Sequence, residues 1–183
     1  MQPDRVALYG YAHVPWVAKR QVLIPEEALP DAEGRFALEN AARALFLRDG
    51  YREVGIDHFA RETDSMAKAD RDGTLRRNFQ GYTVDDSVAL VGLGASAISR
   101  YPQGYAQNIH SSSLYATAVE AGRMATDRGH VFSADDRLRA QMIEDLMCRF
   151  TLDLPKLAQT HGTDAARLRP IVAPLLARFP ESV

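Results

Sequence analysis

The stretch from Arg76 to Thr83, RRNFQGYT, brings two arginines beside an aromatic ring and a side-chain amide. A guanidinium group binds a carboxylate through two parallel hydrogen bonds, and an aromatic wall with an amide suits a flat ligand with polar edges. Arg76 and Arg77 are therefore candidates for binding carboxylates, with Phe79 and Gln80 beside them. Two adjacent arginines are more often a solvated surface, and that interpretation stays open.

A second stretch, LVGLGASAIS from Leu90 to Ser99, is rich in glycine and other small residues. Such residues allow the backbone of a strand or a turn to approach another group closely. The stretch resembles a dinucleotide-binding fingerprint only loosely, and tight packing is the favoured interpretation. The pattern does not decide between strand and turn.

The neighbours Asp57 and His58 invite an acid–base interpretation. On a strand, adjacent side chains point to opposite faces, so we expect these two not to share a site. His13 and His58 each follow a predicted buried strand and are expected at the carboxyl end of a sheet, where ligands bind. For each of them a hydrogen-bonded structural histidine is the favoured role. The spacing of the histidines indicates no metal site.

Cys148 is the one cysteine in the chain. One thiol cannot form an internal disulfide, which fits a reducing compartment, and it cannot hold an iron–sulfur cluster, which needs several thiolates. Its place within a predicted helix favours a small buried apolar residue.

Charge, hydropathy and the first residues argue against several classes of protein. The 183 residues carry a formal net charge of −2, which gives no electrostatic reason to expect nucleic acid or an anionic membrane as partner. No apolar run approaches the roughly 20 residues of a membrane helix. The first residues, MQPDRVALYGYAH, lack the features of a secretory signal. The expected location is the cytoplasm.

Elements in the first part of the chain follow from apolar runs and turn residues. The run Val6 to Ala12 predicts a strand buried on both faces, as in a parallel sheet. A proline-rich loop follows, then a helix capped by Asp31, and then a second strand, YREVGIDHF. Asp64 or Thr63 is expected to cap a short polar helix that stops at Gly73.

The end of the chain is predicted to be helical. Ser133 and Asp136 approximate a capping box, and four residues on one helix face are expected to be core: Leu138, Met142, Leu146 and Phe150. Two short helices joined at Gly162 should follow, and Pro170 and Pro174 should kink or shorten the second. A domain boundary is expected after residue 128, which divides the chain into residues 1–128, with mixed strands and helices, and a helical domain of residues 129–183.

Six segments in register then carry a family resemblance: YGYAHVPW, GYREVGIDHFAR, RNFQGYT, LVGLGASAIS, YAQN and MIEDLMCRF. Together they resemble the second half of oxygen-independent coproporphyrinogen III oxidases, which belong to the radical S-adenosylmethionine superfamily. The resemblance implies an α+β fold (an α/β fragment): the last strand or strands of a partial TIM-like barrel, followed by a mainly helical C-terminal domain. The related haem chaperones of the same superfamily are the alternative.

The resemblance also implies a reaction and its cofactors. The full enzyme would be an oxidoreductase that oxidatively decarboxylates two propionates of coproporphyrinogen III to vinyl groups, giving protoporphyrinogen IX for haem biosynthesis. It would use S-adenosylmethionine and a 4Fe-4S cluster. The family's clustered cysteines are absent here, so no metal-binding or catalytic residue is expected in this chain, which alone should be inactive. The electron donor or acceptor is not identified.

Four positions carry over from the family. Ala12 and Ile98 match positions that contact S-adenosylmethionine, and Phe79 and Gln80 match a loop that closes the same cavity. Arg76 and Arg77 are our own candidates for binding substrate propionates. Because a cut barrel exposes a strand edge, residues 6–12 are expected to pair with another chain or to rearrange.

Overall fold

The computed structural model describes residues 2–178, which form two compact units. The first unit comprises residues up to 75 together with 82–84, and the second comprises 76–81 and the residues from 85 onward. Within the described residues, no helix is both long and apolar enough to cross a membrane.

The first unit holds three strands and two α-helices: β1 (Arg5–Ala7), α1 (Ala32–Arg48), β2 (Tyr51–Val54), β3 (His58–Arg61) and α2 (Ser65–Arg71). The strands form an antiparallel sheet in the order β1-β3-β2. The buried apolar side chains of this unit include Val54, Phe59, Met66 and Leu75. The polar helix α2 thus contributes to the core through Met66.

The first strand is shorter than the apolar run Val6 to Ala12 predicted. It ends at Ala7, its residues are exposed or half-buried, and its neighbour is antiparallel. The physical reason is the length of its partner: β3 begins at His58, which lies opposite Ala7. Beyond that point one further hydrogen bond joins the Leu8 N–H to the Asp57 carbonyl.

The predicted second strand, YREVGIDHF, is a hairpin of two strands. A turn at residues 55–57 separates β2 from β3. Gly55 has a φ of +62°, a left-handed conformation that favours glycine, and a Cβ at this position would collide with the Tyr82 ring. The turn is therefore built around a position where only hydrogen fits.

Helix capping follows the prediction in this unit. The Asp31 side chain accepts a hydrogen bond from the Gly34 N–H (2.8 Å), and the Asp64 side chain accepts one from the Met66 N–H (2.6 Å). The predicted loop between β1 and α1 contains two 3₁₀ helices, Lys19–Leu23 and Glu26–Ala28. No residue of α1 is buried.

The second unit contains a sheet and four helices: β6 (Ile98–Tyr101), β7 (Gly104–Asn108), α3 (Ser112–Glu120), β8 (Thr126–Val131), α4 (Ala134–Arg149), α5 (Leu154–His161) and α6 (Ala165–Arg178). Two short strands, β4 (Arg76–Asn78) and β5 (Gly81–Thr83), lie where the chain passes between the units. The sheet is antiparallel in the order β6-β7-β8. Every residue of β8 is exposed.

The last three helices share an apolar core that contains Leu138, Met142, Leu157, Ala158, Leu168 and Val172. The predicted capping box is present: the Ser133 hydroxyl accepts from the Asp136 N–H, and the Asp136 carboxylate accepts from the Ser133 N–H. The prediction that Leu146 and Phe150 belong to the core is wrong, because these residues are 36% and 62% exposed. Phe150 ends α4 in the left-handed conformation, which turns the chain there.

The joint between the last two helices is confirmed at Gly162, whose φ is +60°. The predicted shortening of α6 is wrong, because this helix runs from Ala165 to Arg178 through Pro170 and Pro174. Two residues of α6, Leu168 and Val172, are 1% and 6% exposed in the shared core. Their burial offsets the cost of proline within the helix.

Candidate functional site

The aromatic–amide pair of the opening motif lies in a tight turn. Phe79 and Gln80 connect β4 to β5, and the Gln80 N–H donates to the Asn78 side-chain oxygen (2.8 Å). Phe79 remains 51% exposed while its ring stands edge-on to Tyr105, with 5.1 Å between the ring centroids. The turn thus presents an aromatic ring and an amide to solvent on a short, hydrogen-bonded support.

Ile98 lies on the same face of the three-stranded sheet as the ring that Phe79 contacts. It is the first residue of β6 and pairs with Gln107 of β7. Gln107 and Tyr105 are two positions apart, so their side chains share a face. Phe79 and Ile98, two of the predicted site residues, are therefore brought to one sheet face within the second unit.

The glycine stretch is a turn that closes against β6; we call residues 90–97 the glycine loop. Gly92 lies directly against Ile98, since a Cβ at Gly92 would stand 2.7 Å from the Ile98 carbonyl oxygen. The Gly92 N–H donates to the hydroxyl of Ser99, a buried side chain (3.0 Å). The prediction of close packing is confirmed, and the close approach is to the backbone of Ile98.

Asn108 fixes the conformation of the glycine loop, and sequence reasoning gave it no role. Its Nδ2 donates to the carbonyl oxygens of Gly92 (3.1 Å) and Gly94 (3.0 Å). The Gly94 N–H in turn donates to the Tyr115 hydroxyl (3.1 Å). These bonds satisfy backbone groups that no strand pairs, so they position the residue that follows the loop, Ile98.

Ala12 lies in the first unit, in an exposed segment without regular structure. Its carbonyl accepts a hydrogen bond from Gln21 Nε2 (3.1 Å), and Gln21 Oε1 accepts from the Val14 N–H (2.6 Å). One amide side chain thus holds the backbone on both sides of His13. Contact of Ala12 with a ligand would be through such backbone groups, because its methyl side chain offers no hydrogen bond.

The two arginines of the motif differ in their exposure. Arg76 Nε donates to Glu144 Oε1 of α4 at 2.8 Å, with both side chains partly buried. Arg77 is exposed. An arginine has five N–H donors, so the Glu144 contact occupies only part of the Arg76 guanidinium.

Cys148 lies on α4, in the same unit, as a buried free thiol. Burial, together with the charge of Glu144, raises the pKa of this thiol to about 11. The group is therefore a protonated, unreactive thiol at neutral pH, as its apolar position predicted. Among the described residues there is no cluster of three or more His, Cys, Asp or Glu side chains that could hold a metal ion.

Asp57 and His58 are hydrogen-bonded to each other, contrary to the expectation from strand alternation. His58 Nδ1 lies 2.6 Å from Asp57 Oδ1. The expectation was wrong because Asp57 belongs to the turn that precedes β3, so its side chain does not follow the alternation of a strand. The prediction that His58 follows a buried strand was wrong, because His58 is the first residue of β3; it lies opposite Ala7, the last residue of the antiparallel β1.

An open cleft of about 480 Å³ occurs in the first unit, and it is lined by Gln2, Pro3, Val6, Phe46, Asp49, Tyr51 and Arg61. Arg61 stacks on the Tyr51 ring, 3.9 Å from its centroid. The cleft lies at the start of β1, whereas Ala12 follows the end of that strand. None of the residues predicted to bind cofactor or substrate lines this cleft, so we do not assign the candidate site to it.

Comparison with solved structures places the fold in a class of enzymes. The chain superimposes with a TM-score of 0.90 on a coproporphyrinogen III oxidase from Escherichia coli that is described as a radical S-adenosylmethionine enzyme. The two are 35% identical, and the match covers 98% of this chain and 42% of the other. The α+β fold predicted from the sequence is thus confirmed, as the fold of part of a radical S-adenosylmethionine enzyme.

Curated relatives narrow the class to one family. Oxygen-independent coproporphyrinogen III oxidases from Paracoccus denitrificans and Cereibacter sphaeroides are 57% and 50% identical, over 100% and 97% of this chain. The chain spans about two fifths of the length of each of these relatives. No protein-family model matches the chain. The family predicted from the six segments is confirmed, and the chain corresponds to part of such an oxidase.

Proposed function

We propose that this chain forms part of the substrate and cofactor cavity of an oxygen-independent coproporphyrinogen III oxidase. In the proposed reaction, two propionate side chains of coproporphyrinogen III each lose carbon dioxide, a hydrogen atom and an electron, and become vinyl groups. The hydrogen atom passes to the radical that S-adenosylmethionine supplies, and the electron passes to a one-electron acceptor from outside this chain. The observation that carries the proposal is the match, at a TM-score of 0.90 over 98% of the chain, to a coproporphyrinogen III oxidase. The names of the relatives favour the oxidase over the haem chaperone.

The decisive experiment supplies the segments that the relatives have in addition. A chimera is made by replacing the matching part of the Paracoccus denitrificans oxidase with residues 1–183. At 57% identity over the whole chain, the two should fold compatibly. We expect the chimera to convert coproporphyrinogen III to protoporphyrinogen IX under anaerobic conditions, with the unaltered oxidase as control. A folded chimera that binds its cofactors but does not decarboxylate would contradict the proposal.

S-Adenosylmethionine fits the residues that are present. In the first unit, Ala12 offers backbone groups. In the second unit, the glycine loop packs directly against the backbone of Ile98, and the Phe79–Gln80 turn presents an exposed ring and amide. When bound, S-adenosylmethionine supplies the radical that removes hydrogen from the substrate. The proposed task of this chain is to hold the cofactor and substrate in position and to exclude water.

A 4Fe-4S cluster does not fit the residues of this chain. Such a cluster requires several thiolates, and the one cysteine, Cys148, is a buried thiol with a pKa of about 11. We infer that cluster ligands come from outside residues 1–183, and that the chain by itself neither assembles a cluster nor turns over substrate. Reconstitution of the isolated chain with iron and sulfide, followed by absorption spectroscopy, tests this inference.

The cofactor assignment is tested at Gly92. In the chimera, Gly92→Ala would place a methyl group 2.7 Å from the Ile98 carbonyl oxygen and must displace that backbone. We expect binding of S-adenosylhomocysteine, an inert analogue, to weaken by at least about tenfold. Ser96→Gly is the control, because it alters the same loop at a residue with a φ of +62°, which glycine adopts without strain. Equal binding by both variants would contradict the assignment of Ile98.

Arg76 and Arg77 are proposed to bind substrate propionates. The double variant Arg76→Ala/Arg77→Ala should raise KM for coproporphyrinogen III in the chimera, by about tenfold for a lost charge-assisted contact. Arg139→Ala is the control, because Arg139 pairs with Asp135 on the exposed side of α4. An unchanged KM in the double variant would refute the assignment.

Two further proposals concern location and association. The reaction and the single unreactive cysteine fit the cytoplasm, and the composition gives no reason to expect nucleic acid or a membrane as partner. The outer edge of β1 is not paired by any described strand, so we propose that the isolated chain self-associates through this edge. A monomer at all concentrations in light scattering would contradict that proposal.

A further inference from the structure

The Asp57–His58 pair occupies a defined place in the first unit. Asp57 ends the turn between β2 and β3, and the Leu8 N–H donates to its carbonyl oxygen at 2.8 Å. His58 lies opposite Ala7, the last residue of β1. Ala12, the residue that the family resemblance assigns to the cofactor, follows five positions after Ala7. The pair therefore lies where the chain leaves β1 toward a proposed cofactor contact.

The imidazole ring of His58 is held on several sides. It is edge-on to the Tyr9 ring, at 6.1 Å between centroids, and edge-on to the Tyr82 ring, at 5.1 Å. Tyr82 is itself fixed, because its ring is buried and its hydroxyl accepts from the Ile56 N–H (3.1 Å). Only 11% of the His58 side chain is exposed. The ring thus has one orientation, set by two aromatic edges and one carboxylate.

The carboxylate determines which ring nitrogen carries the proton. A carboxylate only accepts hydrogen bonds, so His58 Nδ1, 2.6 Å from Asp57 Oδ1, is the donor. In the neutral imidazole the other nitrogen, Nε2, is then an acceptor with a lone pair. Within the part of the chain that the structure describes, no hydrogen bond to Nε2 is found. A fixed, unused acceptor in an aromatic setting is suited to a ligand that donates a hydrogen bond.

We propose that His58 Nε2 accepts a hydrogen bond from an N–H or O–H group of a bound ligand, and that Asp57 is the positioning residue that holds His58 for this contact. This inference rests on the proposed function, which supplies two ligands with such donors. The porphyrinogen substrate carries pyrrole N–H groups, and S-adenosylmethionine carries ribose hydroxyls and an ammonium group. The shared chemistry is hydrogen-bond donation to a neutral imidazole.

The test uses the chimera and measures the two ligands separately. Coproporphyrinogen III binding is measured anaerobically by equilibrium dialysis, and S-adenosylhomocysteine binding by calorimetry. His58→Phe keeps the ring between Tyr9 and Tyr82 but removes the acceptor. We expect this variant to lose about tenfold in affinity for one of the two ligands, the effect of one hydrogen bond, and to stay within about twofold for the other. The affected ligand identifies the donor.

Asp57 is tested by rescue. Asp57→Ala removes the orienting carboxylate and should reproduce the loss seen with His58→Phe for the same ligand. Asp57→Asn should stay within about threefold of the original affinity, because the amide oxygen still accepts from Nδ1. A merely structural role of Asp57 would change the affinity for both ligands. The positioning role predicts a loss for one ligand only, which occurs when position 57 lacks a hydrogen-bond acceptor and is recovered when an acceptor is present. If His58→Phe fails to fold, the affinities of the two Asp57 variants for each ligand still test the proposal.

A second histidine–carboxylate pair provides the matched control. His130 Nε2 lies 3.1 Å from Asp136 Oδ2 in the second unit, with both side chains exposed. His130→Phe should leave both affinities unchanged. The inference is overturned if the His58 and Asp57 variants bind both ligands as the original chimera does, or lose both equally. If the unsubstituted chimera binds both ligands but converts no substrate, the proposed function fails while the binding comparison still tests His58.

Discussion

Helix α1 and the last three helices differ in where their apolar side chains go. In α1 no residue is buried, and Phe36, Leu38, Leu45 and Leu47 are 42–65% exposed. By contrast, α4, α5 and α6 enclose six buried residues in a common core. A helix forms stably when one face is covered. The last three helices therefore meet this condition among themselves, whereas α1 presents apolar surface that residues 2–178 leave exposed.

The helix α1 is nevertheless tied to its own unit at one end. The Phe46 ring packs against Phe59 and Tyr51, with centroids 4.8 and 5.7 Å away. Arg43 forms a bidentate ion pair with Glu53 of β2, whose pKa is lowered mainly by this hydrogen bond. One side of α1 therefore packs against its own unit, and the other side leaves its apolar residues exposed. The last three helices bury their apolar residues against one another, so the two regions differ in how far they form a complete core within this chain.

The largest expected effect is in the self-contained core. Leu168→Ala, at a residue 1% exposed, should lower the free energy of unfolding of the 183-residue chain by about 2–5 kcal/mol, because it leaves a cavity among packed side chains. Urea denaturation followed by circular dichroism measures the change. Leu176→Ala, at a residue 43% exposed on the same helix, should cost less than about 1 kcal/mol. Equal costs would show that α4–α6 do not form a core of their own.

A smaller effect is expected at α1, and only when further polypeptide is present. Phe36 is 65% exposed, so Phe36→Ala should change the stability of the 183-residue chain by less than about 0.5 kcal/mol. In the chimera, where other segments can cover this face, the same change should cost about 1–3 kcal/mol. The change in Tm on Phe36→Ala is measured in the 183-residue chain and in the chimera, and Arg35→Ala is the control in both proteins. An equal Tm change in both proteins would break the contrast between the regions.

Loss of the α4 cap is expected to cost about 1 kcal/mol. The Ser133 hydroxyl accepts from the Asp136 N–H, and Ser133→Ala leaves that donor without its partner at the helix end. Urea denaturation of the 183-residue chain measures the change, and Ser133→Asp, which can still cap, should recover most of it. A cost no greater than that of Thr163→Ala, just outside the helices, would show that the cap contributes nothing.

The smallest effect is the pH dependence of the same cap. Hydrogen bonds from Ser133, with a further one from His130, lower the pKa of Asp136 from 3.8 to about 2. Because the folded pKa is the lower one, this contribution to stability is complete above about pH 4 and is lost as the pH falls toward 2. Unfolding midpoints of the original chain and Asp136→Asn should therefore converge between pH 4 and pH 2. A constant difference across that range would contradict the assignment.

Local signals in the sequence predicted more of the fold than of the site. Caps at Asp31, Asp64 and Ser133 were predictable because a capping side chain binds backbone within three residues of itself. The course of α6 through two prolines was not, because burial of Leu168 depends on helices elsewhere in the chain. Local chemistry thus located the ends of helices, and packing decided their extent.

The candidate site depends on contacts between residues distant in the sequence. The Arg76–Glu144 pair spans 68 positions, and Asn108 reaches carbonyls 14 and 16 positions away. Neither contact leaves a periodic signal in the sequence. Asp57 and His58 are adjacent, yet their hydrogen bond could not be predicted without knowing that a turn ends between them. The sequence motifs therefore indicated candidate site residues, but their hydrogen-bond partners depend on the three-dimensional structure.

The exposed strand β8 bears on how this protein behaves at high concentration. Its outer edge faces no described strand, and its side chains include Asp127, Arg128 and His130. Another polypeptide that added itself there would have to strip water from charged groups of both signs, which is a recognised defence against fibril-like stacking. Precipitation of this chain on storage should therefore spare β8, and crowding inside a cell should not recruit that edge into aggregates.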